Sequence, residues 1–261
     1  MVKGLDIFRE RFRQFEGSFI LIGGAACDQW FSRQGLEFRA TQDLDLVLLI
    51  EVLDPSFVAA MRGFVAEGGY QSRQRSDGSP ELYRFAEPTN ELFPVEIELF
   101  SRNPAGFEFS PGNVIPVKIE PDHHSLSAIL LNDDYYSLIQ THHDQMDGLG
   151  VANATSLIPL KACAWLDLSR RKAEGESIDS KKINKHRSDV FRLAATLPGE
   201  PGPILPGSIL ADLTRFLQAF PADSPEWQAI LASLKSNPAS RGIPATTLRN
   251  AIQSYFHLKP E

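Results

Sequence analysis

Two aspartates one residue apart, Asp43 and Asp45, are the residues of this chain best placed to do chemistry. They open the apolar segment Leu44–Ile50, whose composition predicts a buried strand. Because side chains alternate along a strand, both carboxylates point to one face, with Cα atoms about 7 Å apart. Two carboxylates held this close in a half-buried place repel each other, and a divalent cation with hard oxygen ligands removes that repulsion. The spacing therefore predicts a magnesium site on this strand.

A double glycine, Gly23-Gly24, precedes the aspartates by about twenty residues. It closes the short apolar run Phe19–Ile22, which we interpret as a strand, and leads into a predicted helix from Ala25. The amide groups at a helix N-terminus are unpaired, and the local dipole favours anions. The turn is therefore a candidate phosphate-binding loop beside the predicted metal site.

A third acid and a buried cation complete the candidate site. The segment Pro94–Phe100 alternates apolar and acidic residues, so we predict a strand with Glu96 and Glu98 on one face. Spacing leaves open which of the two joins the aspartates. Lys161 lies in an apolar helical segment, where a lysine needs an anionic partner or a route to water. Nucleotidyl transfer requires acids that hold metal ions, amide groups that bind phosphate, and cations that neutralise the remaining phosphate charge.

The charge of the chain is uneven. A net charge of −7 argues against a protein that coats nucleic acid in general. Residues 161–192 nevertheless carry nine lysines and arginines against five acids. This basic segment can meet a triphosphate or RNA, although a solvated helix face explains it equally well.

The order of predicted elements suggests two domains. Residues 1–125 alternate predicted strands and helices, whereas residues 126–261 show helical periodicity with a Pro/Gly linker at 198–207. We predict residues 69–79 to be a loop or the tip of a hairpin, and residues 107–119 to be a further hairpin. No apolar run reaches the roughly 18 residues of a membrane span, so no membrane partner is expected. Two cysteines, Cys27 and Cys163, give no disulfide framework, and we expect a cytoplasmic protein.

These motifs resemble a known family. The glycine pair followed by Arg39-x-Thr41-x-Asp43-Leu44-Asp45 is similar to the nucleotidyltransferase signature of the DNA polymerase β superfamily. Two later motifs resemble those of the AbiEii-type toxin family within it, namely Lys161-Ala162-x-Ala164 and Lys185-His186-x-x-Asp189-Val190-x-Arg192-Leu193. The resemblance covers roughly residues 19–197.

The resemblance implies an α+β fold, in which a polymerase-β-like domain with a mixed sheet precedes a helical domain that completes the nucleotide site. It implies transfer of NMP from an NTP to a hydroxyl of RNA (such as tRNA) or protein, with two Mg²⁺ ions, by a toxin with an antitoxin partner. The implied catalytic and metal-binding residues are Asp43, Asp45 and Glu98, and the implied nucleotide-binding residues are Gly23, Gly24, Thr41, Lys161 and Asp189.

Two departures from the family pattern keep alternatives open. Gly24 stands where many members have serine, so a hydroxyl contact to phosphate is missing, and Glu98 stands where aspartate is commoner. A protein of the same fold with a decayed site, acting as a binding or regulatory module, is one alternative. A nucleotidyltransferase of the aminoglycoside type is another, and an open acidic cleft would favour it because its substrates are cationic.

Overall fold

A seven-stranded mixed sheet runs through the computed structural model, which describes residues 2–49, 51–52, 55–74, 80–102, 132–234 and 241–259. In chain order the strands are β1 (Phe19–Ile22), β2 (Asp43–Leu48), β3 (Gln71–Gln74), β4 (Pro80–Ala86), β5 (Glu96–Phe100), β6 (His143–Met146) and β7 (Leu149–Ala152). Their order across the sheet is β3-β4-β5-β2-β1-β7-β6. The mixed α/β class predicted from the sequence is therefore correct.

The helices lie between and after these strands. Within the described residues they are α1 (Leu5–Phe12), α2 (Gly23–Arg33), α3 (Pro55–Gly68), α4 (Asp133–Thr141), α5 (Ala154–Ala173), α6 (Ser180–Ala194), α7 (Gly207–Gln218), α8 (Trp227–Leu234) and α9 (Ala245–Tyr255). Side chains of Asn132, Asn153 and Asp179 accept a backbone N–H in the first turn of α4, α5 and α6. Such N-caps fix where these three helices begin. No helix in the described part of the chain is both long and apolar enough to span a membrane.

Three central strands set the geometry of the acids. Strand β2 runs antiparallel to β1 and parallel to β5. In this register Asp43 lies opposite Glu96, Asp45 lies opposite Glu98, and Ile22 lies opposite Asp45 on the other side. Pairing thus places four carboxylates on adjacent positions of two strands, next to the strand that ends at the glycine turn.

Aromatic side chains form much of the core in both the N-terminal and the C-terminal half of the chain. Near the N-terminus, Phe8 and Phe12 stack with ring centroids 4.3 Å apart and meet Phe64 of α3 edge-on. In the C-terminal half, Phe191 packs against Trp227 at 4.7 Å. Burial of such large rings contributes to the apolar stabilisation, and it anchors α3 and α6 on their neighbours.

Two predictions about elements need correction. Residues 71–74, predicted as part of a loop or hairpin tip, form β3, which pairs antiparallel with β4, so strand pairing extends further into this segment than predicted. Residues 143–152, predicted as helix and connection, form the β6–β7 hairpin, and β7 pairs with β1. The signal was the turn Asp147-Gly148, where both residues have positive φ, of 51° and 80°. Such Asp-Gly pairs are typical of two-residue hairpins.

The second half of the chain is therefore not wholly helical, because it contributes two strands to the sheet. The boundary predicted near residue 125 and the hairpin predicted at 107–119 lie outside the described residues. The division into domains 1–125 and 126–261 stays a prediction.

Candidate functional site

A cavity of about 560 Å³ opens between the centre of the sheet and helices α5 and α6. The acids of β2 and β5 form one side, and basic residues of the two helices form the other. Seven of the eight predicted site residues line it: Gly23, Gly24, Thr41, Asp43, Asp45, Glu98 and Lys161. The eighth, Asp189, lies directly behind the cavity wall, where it contacts Lys161. Residues about 140 positions apart in sequence thus meet at one place.

The first glycine of the turn can only be glycine. Gly23 has φ +68°, a conformation that side chains disfavour, and a Cβ atom there would lie 1.7 Å from Oδ2 of Asp45. The Asp45 carboxylate therefore packs directly against the backbone of the turn. Because helix α2 begins at Gly23, its first amide groups lie beside this carboxylate.

The second glycine leaves room for a neighbouring hydroxyl. A Cβ atom on Gly24 would lie 2.5 Å from Oγ1 of Thr41 and 3.2 Å from its Cβ. Thr41 thus occupies the space that a side chain at position 24 would need. The hydroxyl that the sequence lacks at position 24 is supplied next to that position by Thr41.

Asp45 and Glu98 are hydrogen-bonded across the paired strands, and burial and repulsion between neighbouring carboxylates raise the pKa of both carboxyl groups. Burial, followed by the charge of Asp45, raises the pKa of Glu98 to about 8. Burial likewise raises the pKa of Asp45, to which Glu98 is hydrogen-bonded. Burial and the charge of Glu96 raise the pKa of Asp43 as well. Three acids in one place resist full ionisation, which is the expected behaviour of a carboxylate group without a cation.

Arg84 contacts both glutamates of β5, but in different ways. Its Nη2 lies 2.9 Å from Oε1 of Glu96, its Nε donates to the same oxygen at 3.1 Å, and its Nε lies 2.9 Å from Oε1 of Glu98. Glu96 therefore faces Arg84 and Asp43, whereas Glu98 faces Asp45 and Arg84. Of the two alternatives left open by the sequence, Glu98 is the one in hydrogen-bond contact with the aspartate pair.

The chemistry of the donors fits a hard divalent cation, because carboxylate oxygens are the preferred ligands of magnesium. Among the described residues, however, no three side chains of the metal-ligating types converge in an arrangement ready to hold an ion. Asp45 is hydrogen-bonded to Glu98, and Arg84 of β4 contacts Glu98 as well. Asp43, Asp45 and Glu98 would hold a cation in their ionised forms.

Asp189 organises the cations of the site and takes no part in lining the cavity. It is fully buried, accepts two hydrogen bonds from Arg39 at 3.0 and 2.6 Å, accepts one from Arg192 at 3.0 Å, and lies 3.3 Å from Nζ of Lys161. Burial alone would raise the pKa of Asp189, but Lys161 and Arg39 outweigh it and hold that pKa well below its usual range. The buried lysine thus has both the anionic partner expected of it and access to the cavity.

One side of α6 contributes two lysines of the basic segment 161–192, which the sequence indicated only as a group, and a histidine for which the sequence indicated no role. Lys182, Lys185 and His186 line the cavity, one to two turns before Asp189. Arg39, quoted in the motif without a role, joins them through its bonds to Asp189. Their spacing of three and four residues on one helix was the available signal, since such residues share a face.

Comparison with known proteins gives little. No protein-family model matches the sequence, and no curated protein matches it either. A solved structure of an antigenic nucleotidyltransferase-like protein from Paracoccidioides brasiliensis is similar over 96% of this chain and 90% of its own, with 15% sequence identity and a TM-score of 0.43. A likeness at this level establishes neither family nor function. The functional conclusion therefore depends on the site.

Proposed function

We propose that the protein is a magnesium-dependent nucleotidyltransferase that moves an NMP group from an NTP to an acceptor hydroxyl. One observation carries this proposal. Acids from the paired strands β2 and β5 open on the same cavity as the glycine turn at the start of α2 and the buried Lys161. The combination matches the needs of phosphoryl transfer, which are positioning and charge stabilisation.

Each group has a role that follows from its place. The amide groups at the start of α2 and the Thr41 hydroxyl would bind phosphate oxygens, because they lie beside Asp45 and face the cavity. Lys161, fixed by Asp189, would neutralise further phosphate charge. Asp43, Asp45 and Glu98 would hold two Mg²⁺ ions, which when bound lower the charge on the phosphates and favour ionisation of the acceptor hydroxyl.

The proposed reaction is an in-line displacement. The acceptor oxygen forms a bond to the α-phosphorus, the bond from that phosphorus to the bridging oxygen breaks, and pyrophosphate leaves with the electron pair. The proton of the acceptor hydroxyl passes to the ionised carboxylate of Glu98, because its raised pKa gives it the proton affinity that a general base needs. Basic residues of α5 and α6 hold the phosphates of the NTP during this reaction.

The charge of the cavity favours an anionic acceptor. Six lysines and arginines line it against five acids among the described residues. The positive charge of the two proposed Mg²⁺ ions is offset by the phosphates of the NTP, so the loaded site keeps the small positive excess of its lining. This is not the acidic cleft that cationic aminoglycosides would favour, and it suits RNA, for which tRNA is the acceptor that the sequence resemblance implies, or an acidic protein segment. The roles of toxin and of antitoxin partner are supported by that resemblance alone.

A non-catalytic nucleotide-binding module is the second candidate. The observation in its favour is that Arg84 contacts both Glu96 and Glu98, and that the described acids do not form a ready ligand set. Such a protein would bind an NTP through Lys161 and the glycine turn but would not turn it over.

The test is transfer of label from α-³²P-labelled NTPs to RNA or to the protein itself, with and without Mg²⁺. Glu98→Gln should abolish labelling, and Glu96→Gln should leave most of it, because Glu98 is hydrogen-bonded to Asp45 whereas Glu96 is bonded to Arg84. Glu174→Gln is the control, since Glu174 is exposed at the end of α5 and pairs with Arg170. NTP binding without labelling for all four nucleotides would favour the second candidate. Equal labelling by the Glu98→Gln variant would refute the assignment of the third acid.

A further inference from the structure

His186 is a cavity residue whose ring has no hydrogen-bond partner among the described residues. Its Nδ1 is buried from solvent and unpaired. None of the hydrogen bonds within the described part of the chain involves either ring nitrogen of this histidine. Buried polar atoms are seldom left unpaired, because an unmet hydrogen bond costs free energy. The other ring nitrogen, Nε2, is not among the buried atoms, so it is the atom through which His186 can reach a ligand in the cavity that it lines.

The surroundings of His186 determine what kind of ligand it can take. Burial, followed by the charge of Lys161, lowers the pKa of His186 to about 3, with Lys185 and Arg39 acting in the same direction and Asp189 against them. The ring is therefore neutral at pH 7, with one N–H and one lone pair. A neutral ring among three cations is a directional hydrogen-bond group in a positive environment.

The neighbours of His186 on α6 further limit the kind of ligand that it can bind. Lys182 and Lys185 line the same cavity, and neither makes an ion pair with a described residue. Two lysines without ion-pair partners and a neutral N–H within five residues of one helix make a set that suits several oxygens of one polyanion. The lysines supply charge without direction, whereas the imidazole supplies a hydrogen bond of fixed direction.

We propose that His186 donates a hydrogen bond to an oxygen of the pyrophosphate part of the bound NTP, and so positions the leaving group between Lys182 and Lys185. The inference rests on the proposed function and extends it to a residue on the phosphate side. His186 is on this view a residue that contacts the leaving group, and it takes no proton in the transfer.

Inorganic tripolyphosphate is the direct probe, because it carries the phosphates without base, ribose or reaction. Isothermal titration in the presence of Mg²⁺ should show about tenfold weaker binding of tripolyphosphate to His186→Leu, the loss expected for one hydrogen bond to a charged oxygen. Binding of an NMP should be unchanged. His186→Gln should recover part of the affinity, since its amide keeps a donor. His142→Leu, a half-buried histidine outside the cavity, is the control.

Nitrogen-15 spectra of the imidazole rings give a second readout that does not depend on activity. The signal lost in His186→Gln should be the histidine signal that moves when tripolyphosphate is added to the wild-type protein. Wild-type tripolyphosphate affinity in His186→Leu, or equal loss of NMP and tripolyphosphate binding, would overturn the proposal. If tripolyphosphate binding depends on His186 but no NTP labels any acceptor, the transfer function fails and the phosphate site stands. If the wild-type protein does not bind tripolyphosphate, both are wrong.

Discussion

Asp189→Asn is the substitution whose effect the structure defines best. The change keeps the shape of the side chain and removes a charge that is fully buried and touches Arg39, Lys161 and Arg192. Of these cations, Lys161 and Arg192 are themselves more than nine-tenths buried. Removing one partner from a buried ionic group leaves the others without compensation, which typically costs about 3–5 kcal/mol. For a chain of this size, such a loss lowers Tm by roughly 10 °C.

Thermal unfolding followed by circular dichroism measures this loss, and Asp144→Asn is the matched control. Asp144 pairs with Arg33 at 2.7 Å, but both side chains are about one third or more exposed. Exposed pairs contribute at most about 1 kcal/mol, so the control should melt within a few degrees of the wild type. Lys161→Met in the Asp189→Asn background should recover part of the lost stability, because it removes one of the uncompensated cations.

The pH dependence provides an independent check on the same reasoning. The pKa of Asp189 is lower in the folded protein than its unfolded value of about 3.9, so its stabilising contribution is complete above that pH and declines as the pH falls below it. The difference in stability between wild type and Asp189→Asn should therefore be constant from pH 5 to 7 and narrow below pH 4. An Asp189→Asn protein that melts no lower than the Asp144→Asn control would refute the account of Asp189 as the centre of the cation group.

Two further predictions concern the glycine turn. Gly23→Ala should abolish NTP binding and lower Tm, because its φ is positive and its Cβ would collide with Asp45; Gly175→Ala, with φ +98° and no atom within 4 Å of the added Cβ, measures the backbone strain alone. A Gly23→Ala protein that binds NTP as tightly as Gly175→Ala does would contradict the close packing of Asp45 on the turn. Thr41→Val should weaken NTP binding about tenfold in titration calorimetry with little change in Tm, because it removes one hydroxyl at constant volume. Unchanged NTP affinity in Thr41→Val would show that this hydroxyl does not reach the phosphates.

The sequence predicted which residues lie at the cavity better than it predicted the contacts between them. Strands β2 and β5 were predicted correctly because alternation and composition agree in them, and their acids were therefore placed on one face. The contacts of Arg84 could not be predicted, since they depend on the register between β4 and β5, which no local pattern contains. The same holds for Asp189 on α6. Its three cation partners are Arg39, which precedes β2, Lys161 on α5 and Arg192 on α6 itself.

The hairpin β6–β7 shows a different limit. Its first strand reads His-Asp-Gln-Met, a polar sequence with little strand character, so periodicity favoured the helices on either side. Its partner strand is wholly buried and pairs with β1 through Ile20 and Leu21. Pairing of β7 with β1 therefore determines the structure of these residues. In the sequence, only the Asp147-Gly148 pair indicated the hairpin.

Charge is divided across the cavity in a way that bears on how the site would work. Carboxylates gather on the strands, where burial and repulsion between neighbouring carboxylates raise the pKa of Asp45 and Glu98, and cations gather on the helices, where Asp189 fixes Lys161. Each group is costly to assemble by itself, because like charges in a half-buried place repel. An NTP with its magnesium ions presents cations to the first group and phosphate anions to the second. Binding would thus relieve repulsion on both sides at once, which is a physical reason for the two groups to face one cavity.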